Sequence, residues 1–193
     1  MKSLFLENEF LYDGSQLRSL FAYLDYKIQG DSVVSWIGPC NVTLEHMVDG
    51  EDLLAGEKIA GDKMVHFVIE VFNMSLVGAV ALQRLFAAIC LGLLEDQLAL
   101  KSFGRTQELK LRREGDDIYF GDGKMSISIA TVSPVSSLIH FAINIVNDGT
   151  PVKTASLNDV SYEPRLFAKN AMAKLSEEYV SILNATTKVR WVK

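Results

Sequence analysis

Lys124, Ser126, Ser128, His140 and Asn144 are the residues whose types and spacing bring the most chemistry into one stretch of this chain. Lys124 follows a Gly121-Asp122-Gly123 turn and opens the alternating run Lys124-Met125-Ser126-Ile127-Ser128. Residues two apart on a strand point to one side, so the hydroxyls of Ser126 and Ser128 are expected to line a pocket together with the lysine. His140 alternates with Ala142 and Asn144 on the next strand, and these are expected on the same polar face as the serines, although a hydrogen-bonded core histidine fits the pattern equally well. A fixed ammonium there would contact an anionic group, and such a cation acts most strongly where negative charge develops during a reaction. Asp117, just before the turn, and Arg18, near the N-terminus, complete the candidate ligand-binding set. The planar fork of a guanidinium suits a carboxylate. The spacing is equally met by a solvated turn lysine ahead of a half-buried strand.

Cys40, directly after Gly38-Pro39, is the candidate nucleophile. It would need a nearby cation or helix N-terminus to favour the thiolate, and a packed free thiol is the competing reading. Cys90 lies in an apolar helical run and reads as core. The three histidines are widely separated, and His66 and Glu70 would stand about 13 Å apart on a strand. No metal site is expected from that spacing. Asp49, Glu51 and Asp52 open a short helical piece, where carboxylates favour the N-terminus.

The elements that must position these groups follow from hydrophobic periodicity. Leu17, Leu20, Phe21 and Leu24 share one helical face, which predicts a first helix from Gln16 to about Lys27, capped by Ser15 and ended by Gly30. Ser32–Ile37 reads as a strand stopping at Gly38-Pro39, and Asp49–Ala55 as the short helix. Val65–Phe72 is branched and aromatic and predicts a buried strand. Ser75 then opens a long, mainly buried helix reaching about Leu98. Leu109–Arg113, Asp117–Phe120, Met125–Thr131 and Ile139–Val146 are further strands. Pro164 starts a last helix with an apolar stripe at Phe167, Ala171, Leu175, Tyr179 and Ile182, and Thr187–Val192 reads as a closing strand. Helices packed with a mostly antiparallel sheet make an α+β layered domain, and no repeat or linker divides residues 1–193.

Composition narrows the function classes. Net charge is −5 without a basic cluster, which argues against nucleic-acid binding. The run Met74–Leu94 is apolar, but Gln83 and Arg84 at its centre disfavour a membrane span. The two cysteines and the early acidic residues of the N-terminus predict a cytoplasmic protein with free thiols. A hydrophobic fraction of 49% is high for a lone domain of 193 residues, and a homo-oligomer is expected to cover the surplus.

The run Asp116-Asp117, Gly121–Gly123, Lys124-Met125-Ser126-Ile127 and Ala130, with His140 and Asn144 on the strand after it, resembles the core of the biotin and lipoate protein ligases. The likeness extends in order of elements over Val65–Val146 and implies that superfamily's class II synthetase-related fold. It also implies a small carboxylic acid as ligand, ATP and Mg as cofactors, and Lys124 as the residue stabilising an acyl-adenylate. The lipoate ligases' Arg-Arg and Gly-Gly-Gly segment is replaced here by Leu54-Ala55-Gly56-Glu57-Lys58-Ile59-Ala60-Gly61. Nearly the whole chain is similar to a functionally unassigned group, the domain of unknown function 366 family. Gly14–Leu20, Gly30-Asp31-Ser32, Gly38-Pro39-Cys40, Met47-Val48-Asp49 with Asp52, and Ser126–Ser136 with His140 carry that likeness. The likeness to the ligases implies adenylation of a carboxylic acid or transfer of its acyl group, whereas the likeness to the unassigned family implies the ligase-like fold and no established activity. The alternative is a non-catalytic ligand-binding or assembly protein on the same fold.

Overall fold

The structure is a computed structural model that describes residues 1–101 and 111–192. Its centre is a five-stranded sheet built from β1 (Lys2–Phe5), β2 (Ser32–Val42), β3 (Ile59–Phe72), β7 (Ser126–Val132) and β8 (Ser136–Asn144). The strand order is β1-β2-β3-β8-β7; β1 runs parallel to β2 and the other neighbours are antiparallel. A smaller antiparallel sheet joins β4 (Leu111–Glu114), β5 (Asp117–Phe120) and β6 (Gly123–Lys124). The expected α+β class and its mostly antiparallel sheet are present. The expected strand from Leu109 begins outside the described residues, as does Lys110.

Alternation along the central strands divides the core in two. Val65, Phe67, Ile69 and Val71 of β3 and Ile139, Phe141 and Ile143 of β8 face the long helices α3 (Leu76–Lys101) and α4 (Pro164–Thr186). Phe67, Phe86 and Phe141 meet there edge to face or tilted. The opposite face packs Val34, Trp36, Met64, Val68 and Ala142 against Tyr12 and the short helix α1 (Phe21–Tyr26).

Several sequence expectations are corrected by packing. The first helix starts at Phe21 rather than Gln16, because Leu20 takes a left-handed backbone (φ 62°) and its N–H is met by the Glu70 carboxylate of β3 at 2.8 Å. Ser15 instead donates to Asp13 within the preceding turns. β2 continues through Gly38-Pro39 to Val42, absorbing the proline in a register shift between Gly38 and Cys40. Gly38 is required there: any side chain would run into the Phe10 carbonyl.

α3 is long and apolar enough to cross a membrane by length and composition, and it is not mainly buried. One face, with Leu82, Phe86, Cys90 and Leu94, docks on the sheet, while Val77 and Leu100 are exposed. Ser75 caps it as expected, accepting from the Gly78 N–H. In α4 the stripe holds from Phe167 to Tyr179, whereas Ile182 is exposed. Thr187 ends that helix, and residues 188–192 form no strand. Without a partner edge, the apolar residues Val189, Trp191 and Val192 have nothing to pair with and stand exposed.

Candidate functional site

A cavity of about 590 Å³ opens on the α1 side of the central sheet, toward the edge strand β7. Its apolar wall comes from Tyr12, Met64, Ile127 and Ile129, with His140 among them. The segment 46–60 covers one side, including α2 (Gly50–Ala55). Asp116, Asp117 and Lys124 from the small sheet border it on another.

Lys124 is held by its backbone on three sides. It pairs with Tyr119 across β5, and its N–H donates to Lys153 O at 3.1 Å. Its carbonyl accepts from Ala155 N–H and from the Asn144 side-chain amide, both at 3.1 Å. Gly123 permits this approach, since a side chain there would sit 2.7 Å from the Thr154 and Ala155 backbone. The ammonium reaches Asp117 at 2.8 Å, and both groups are part-exposed. An ion pair so open to water contributes little stability, but it fixes the direction of the cation.

The other predicted residues divide by geometry. His140 lines the cavity and Asn144 touches it, although the Asn144 amide is committed to Lys124 O and Ala155 O. Asn144 thus positions the lysine strand. The serines do not share the histidine's face. The pairing of Ser126 with Ile143 and of Ser128 with Phe141 turns both toward the helices, one residue out of phase with His140. Ser126 Oγ accepts from Ile118 N–H at 2.8 Å. Ser128 Oγ donates to His140 O and accepts from the Gln83 amide. Both serines border the cavity, but those hydroxyls hold the small sheet and α3 in place.

Arg18 is not brought to the site; it forms an exposed ion pair with Asp25 at 2.8 Å. Cys40 is buried with Tyr12 and Trp36, and burial pushes its thiol up to about 12, which disfavours the thiolate that a nucleophile needs. Its sequence neighbour His46 turns Nδ1 to Asp13 O and Thr43 Oγ1. Among the described residues no group of three or more His, Cys, Asp or Glu could hold a metal ion.

Tyr12, which the sequence did not single out, completes the cavity wall, and His66 lies behind His140. Tyr12 stacks on His140 with ring centroids 3.7 Å apart and planes 10° from parallel. His66 Nδ1 lies 3.2 Å from His140 Nε2. Burial holds both imidazoles below the ordinary histidine pKa, His66 at about 4 and His140 well below it with His66 adding to the effect. Period-two alternation of His66, Val68 and Glu70 was the only available signal for this polar row. Tyr12 sits in an irregular segment and left none.

Among the described residues the cavity mouth carries six carboxylates, Asp49, Glu51, Asp52, Glu57, Asp116 and Asp117, against two lysines, Lys58 and Lys124. Some are compensated: Asp49 accepts from Glu51 and Asp52 N–H, and Asp116 from Gln83. Partial burial raises the Asp52 and Asp116 pKa values, as do their acidic neighbours, while Lys124 pulls both down. A single carboxylate can be met at Lys124. A triphosphate would bring several negative charges to a mouth whose described residues already carry an excess of negative charge.

The profile of a family described as a domain of unknown function, DUF366, matches residues 1–190. An uncharacterised protein of Methanocaldococcus jannaschii is 32% identical over 166 residues, 83% of this chain and 71% of that protein. A protein of unknown function from Pyrococcus horikoshi aligns with a TM-score of 0.88 at 40% identity, over 100% of this chain and 99% of that one. The biotin protein ligase of Leishmania major in complex with biotin gives a TM-score of 0.61 at 14% identity, over 90% and 72% of the two chains. A lipoate-protein ligase A bound with ATP gives 0.51 at 15% identity, over 94% and 86%. At such identities the likeness to the ligases is one of fold.

Proposed function

The chain belongs to the DUF366 family and has the biotin/lipoate-ligase fold, and from that premise we propose that it binds a small carboxylic acid in the cavity beside β7. The acid's apolar body lies against Ile127, Ile129 and Met64, and its carboxylate meets the Lys124 ammonium. The observation that carries this reading is Lys124 itself, a cation locked through its own backbone at the border of a half-apolar cavity. Asp117 holds that cation in wait and shares it with the incoming carboxylate.

Binding without adenylation is the form of carboxylate handling favoured here. The acidic mouth opposes a triphosphate, and burial disfavours the thiolate that a thioester at Cys40 would need. Adenylation or acyl transfer is the second reading, supported by the same lysine, which would stabilise charge developing during attack on an activated acid. Mass spectrometry of small molecules released from the native protein tests the first reading, with a carboxylic acid as the expected species. Lys124→Ala should weaken that acid by about 1.5–3 kcal/mol, the range for a hydrogen bond to a charged group. Acid-dependent exchange of pyrophosphate into ATP, lost in Lys124→Ala, would establish the second reading in place of the first.

A further inference from the structure

The two buried imidazoles have their tautomers dictated by one carbonyl. His66 Nε2 lies 3.2 Å from Gly38 O, and a carbonyl only accepts, so that nitrogen carries the proton. A neutral imidazole has a single N–H, which leaves His66 Nδ1 as a lone pair. His140 Nε2, 3.2 Å away, must then donate to it. His140 is neutral because burial and the neighbouring His66 disfavour a charge. Its proton is spent on His66, so its Nδ1 is an acceptor.

That acceptor is uncommitted. Among the described residues His140 Nδ1 makes no hydrogen bond, although the residue is only 3% exposed and lines the cavity. The Tyr12 ring stacked on it is equally buried, and its hydroxyl likewise has no partner among the described residues. Neither atom is wholly shut off from the cavity, so both are open to a ligand's donor or acceptor. The Asn144 amide ties β8 to Lys124 O, and His140 lies four residues back along the same strand, about 13 Å away. The Lys124 backbone and the strand position of His140 therefore stand at different stations along one cavity.

We propose that His140 is a specificity-determining hydrogen-bond acceptor, and that the ligand is a carboxylic acid bearing a hydroxyl or amide donor at the end of its chain remote from the carboxylate. This rests on the reading of Lys124 as the carboxylate's partner. The carboxylate is fixed at Lys124, the chain crosses Ile127 and Ile129, and the distal group donates to His140 Nδ1 while its oxygen accepts from Tyr12. A plain fatty acid of the same length leaves both groups buried and unpaired. A site built to hydrogen-bond a polar group discriminates strongly against the analogue lacking it.

Calorimetric titration with pairs of straight-chain acids, plain and ω-hydroxylated, over lengths of about six to twelve carbons tests this span. At the matching length the ω-hydroxy acid should bind about tenfold tighter than its plain counterpart. His140→Met should shrink that preference to less than about twofold, whereas Lys124→Ala should weaken both members of the pair. Equal binding of every pair, with the Lys124 dependence intact, would overturn the inference and leave the carboxylate reading standing. Failure of all the acids to bind, or binding indifferent to Lys124→Ala, would overturn both. Nitrogen-15 spectra of the wild-type imidazoles give a check that needs no variant to fold. His66 and His140 should both show a protonated Nε2 and a bare Nδ1, and a protonated His140 Nδ1 would refute the assignment.

Discussion

The two faces of the central sheet are made by the same strands, one residue out of step, and they differ in what they leave unfinished. Toward α3 and α4, Phe67, Ile69, Phe141 and Ile143 close on Phe86 and Leu94 as a continuous apolar core. Toward α1, the alternate positions carry His66, Glu70 and His140, each buried and each needing partners. Glu70 accepts from Leu20 N–H and Ser136 Oγ, and His66 from His140. Apolar burial is non-directional and saturates once space is filled. Polar burial is directional, and on this face His140 keeps one ring nitrogen without a partner among the described residues. The cavity lies on the polar face.

Truncation on the apolar face should have the largest effect. Phe67→Ala removes a fully buried ring touching Phe86, Phe141 and Phe167, and should cost about 3–5 kcal/mol in urea unfolding. A loss below about 1 kcal/mol would mean that this face is loosely packed, and the contrast would collapse.

Acid should act through the polar face. Below about pH 6.5 the unfolded chain's histidines take up protons, while folded His66, held near 4, does not. The unfolded state then binds more protons, so stability falls as the pH drops from about 6.5, and the His66 share is fully lost once the pH passes below about 4. That share is on the order of 3 kcal/mol. His66→Gln should flatten the unfolding-midpoint profile across this window. A variant profile as steep as the parent's would place the titration elsewhere.

Glu70→Ala should cost about 1.5–3 kcal/mol, because it strips the acceptor from Leu20 N–H and Ser136 Oγ. Hydrogen exchange should show α1 opening before the rest of the sheet, and uniform protection would deny that Glu70 pins it. The smallest effect is expected at Ser35, whose buried hydroxyl has no partner among the described residues and points to the apolar side with Val33 and Ile37. Ser35→Ala should be neutral or stabilising by up to about 1 kcal/mol in the same urea assay. A clear destabilisation would reveal a polar requirement at this point of the helix-facing side.

Local pattern alone located β3, α3, the turn at Gly121–Gly123 and the Pro164 helix start, because periodicity and capping are written in neighbouring residues. It also marked Lys124 and His140, whose types are conspicuous in their strands. The phase between β7 and β8 was not local. Ser126, Ser128 and His140 each sit on an alternating run, but only the pairing of Ser128 with Phe141 decides that the serines face the helices. The start of α1 was decided at a distance of fifty residues by Glu70, and β2 was carried past Pro39 by a bulge against β3. Tyr12 reached His140 only because Gly38 lets an irregular segment cross the sheet closely. The sequence by itself determined which residues could do chemistry and which class of fold would hold them. Tertiary structure decided which side each group faces and which hydrogen bonds it spends, since register and long-range pairing depend on contacts that no short window contains.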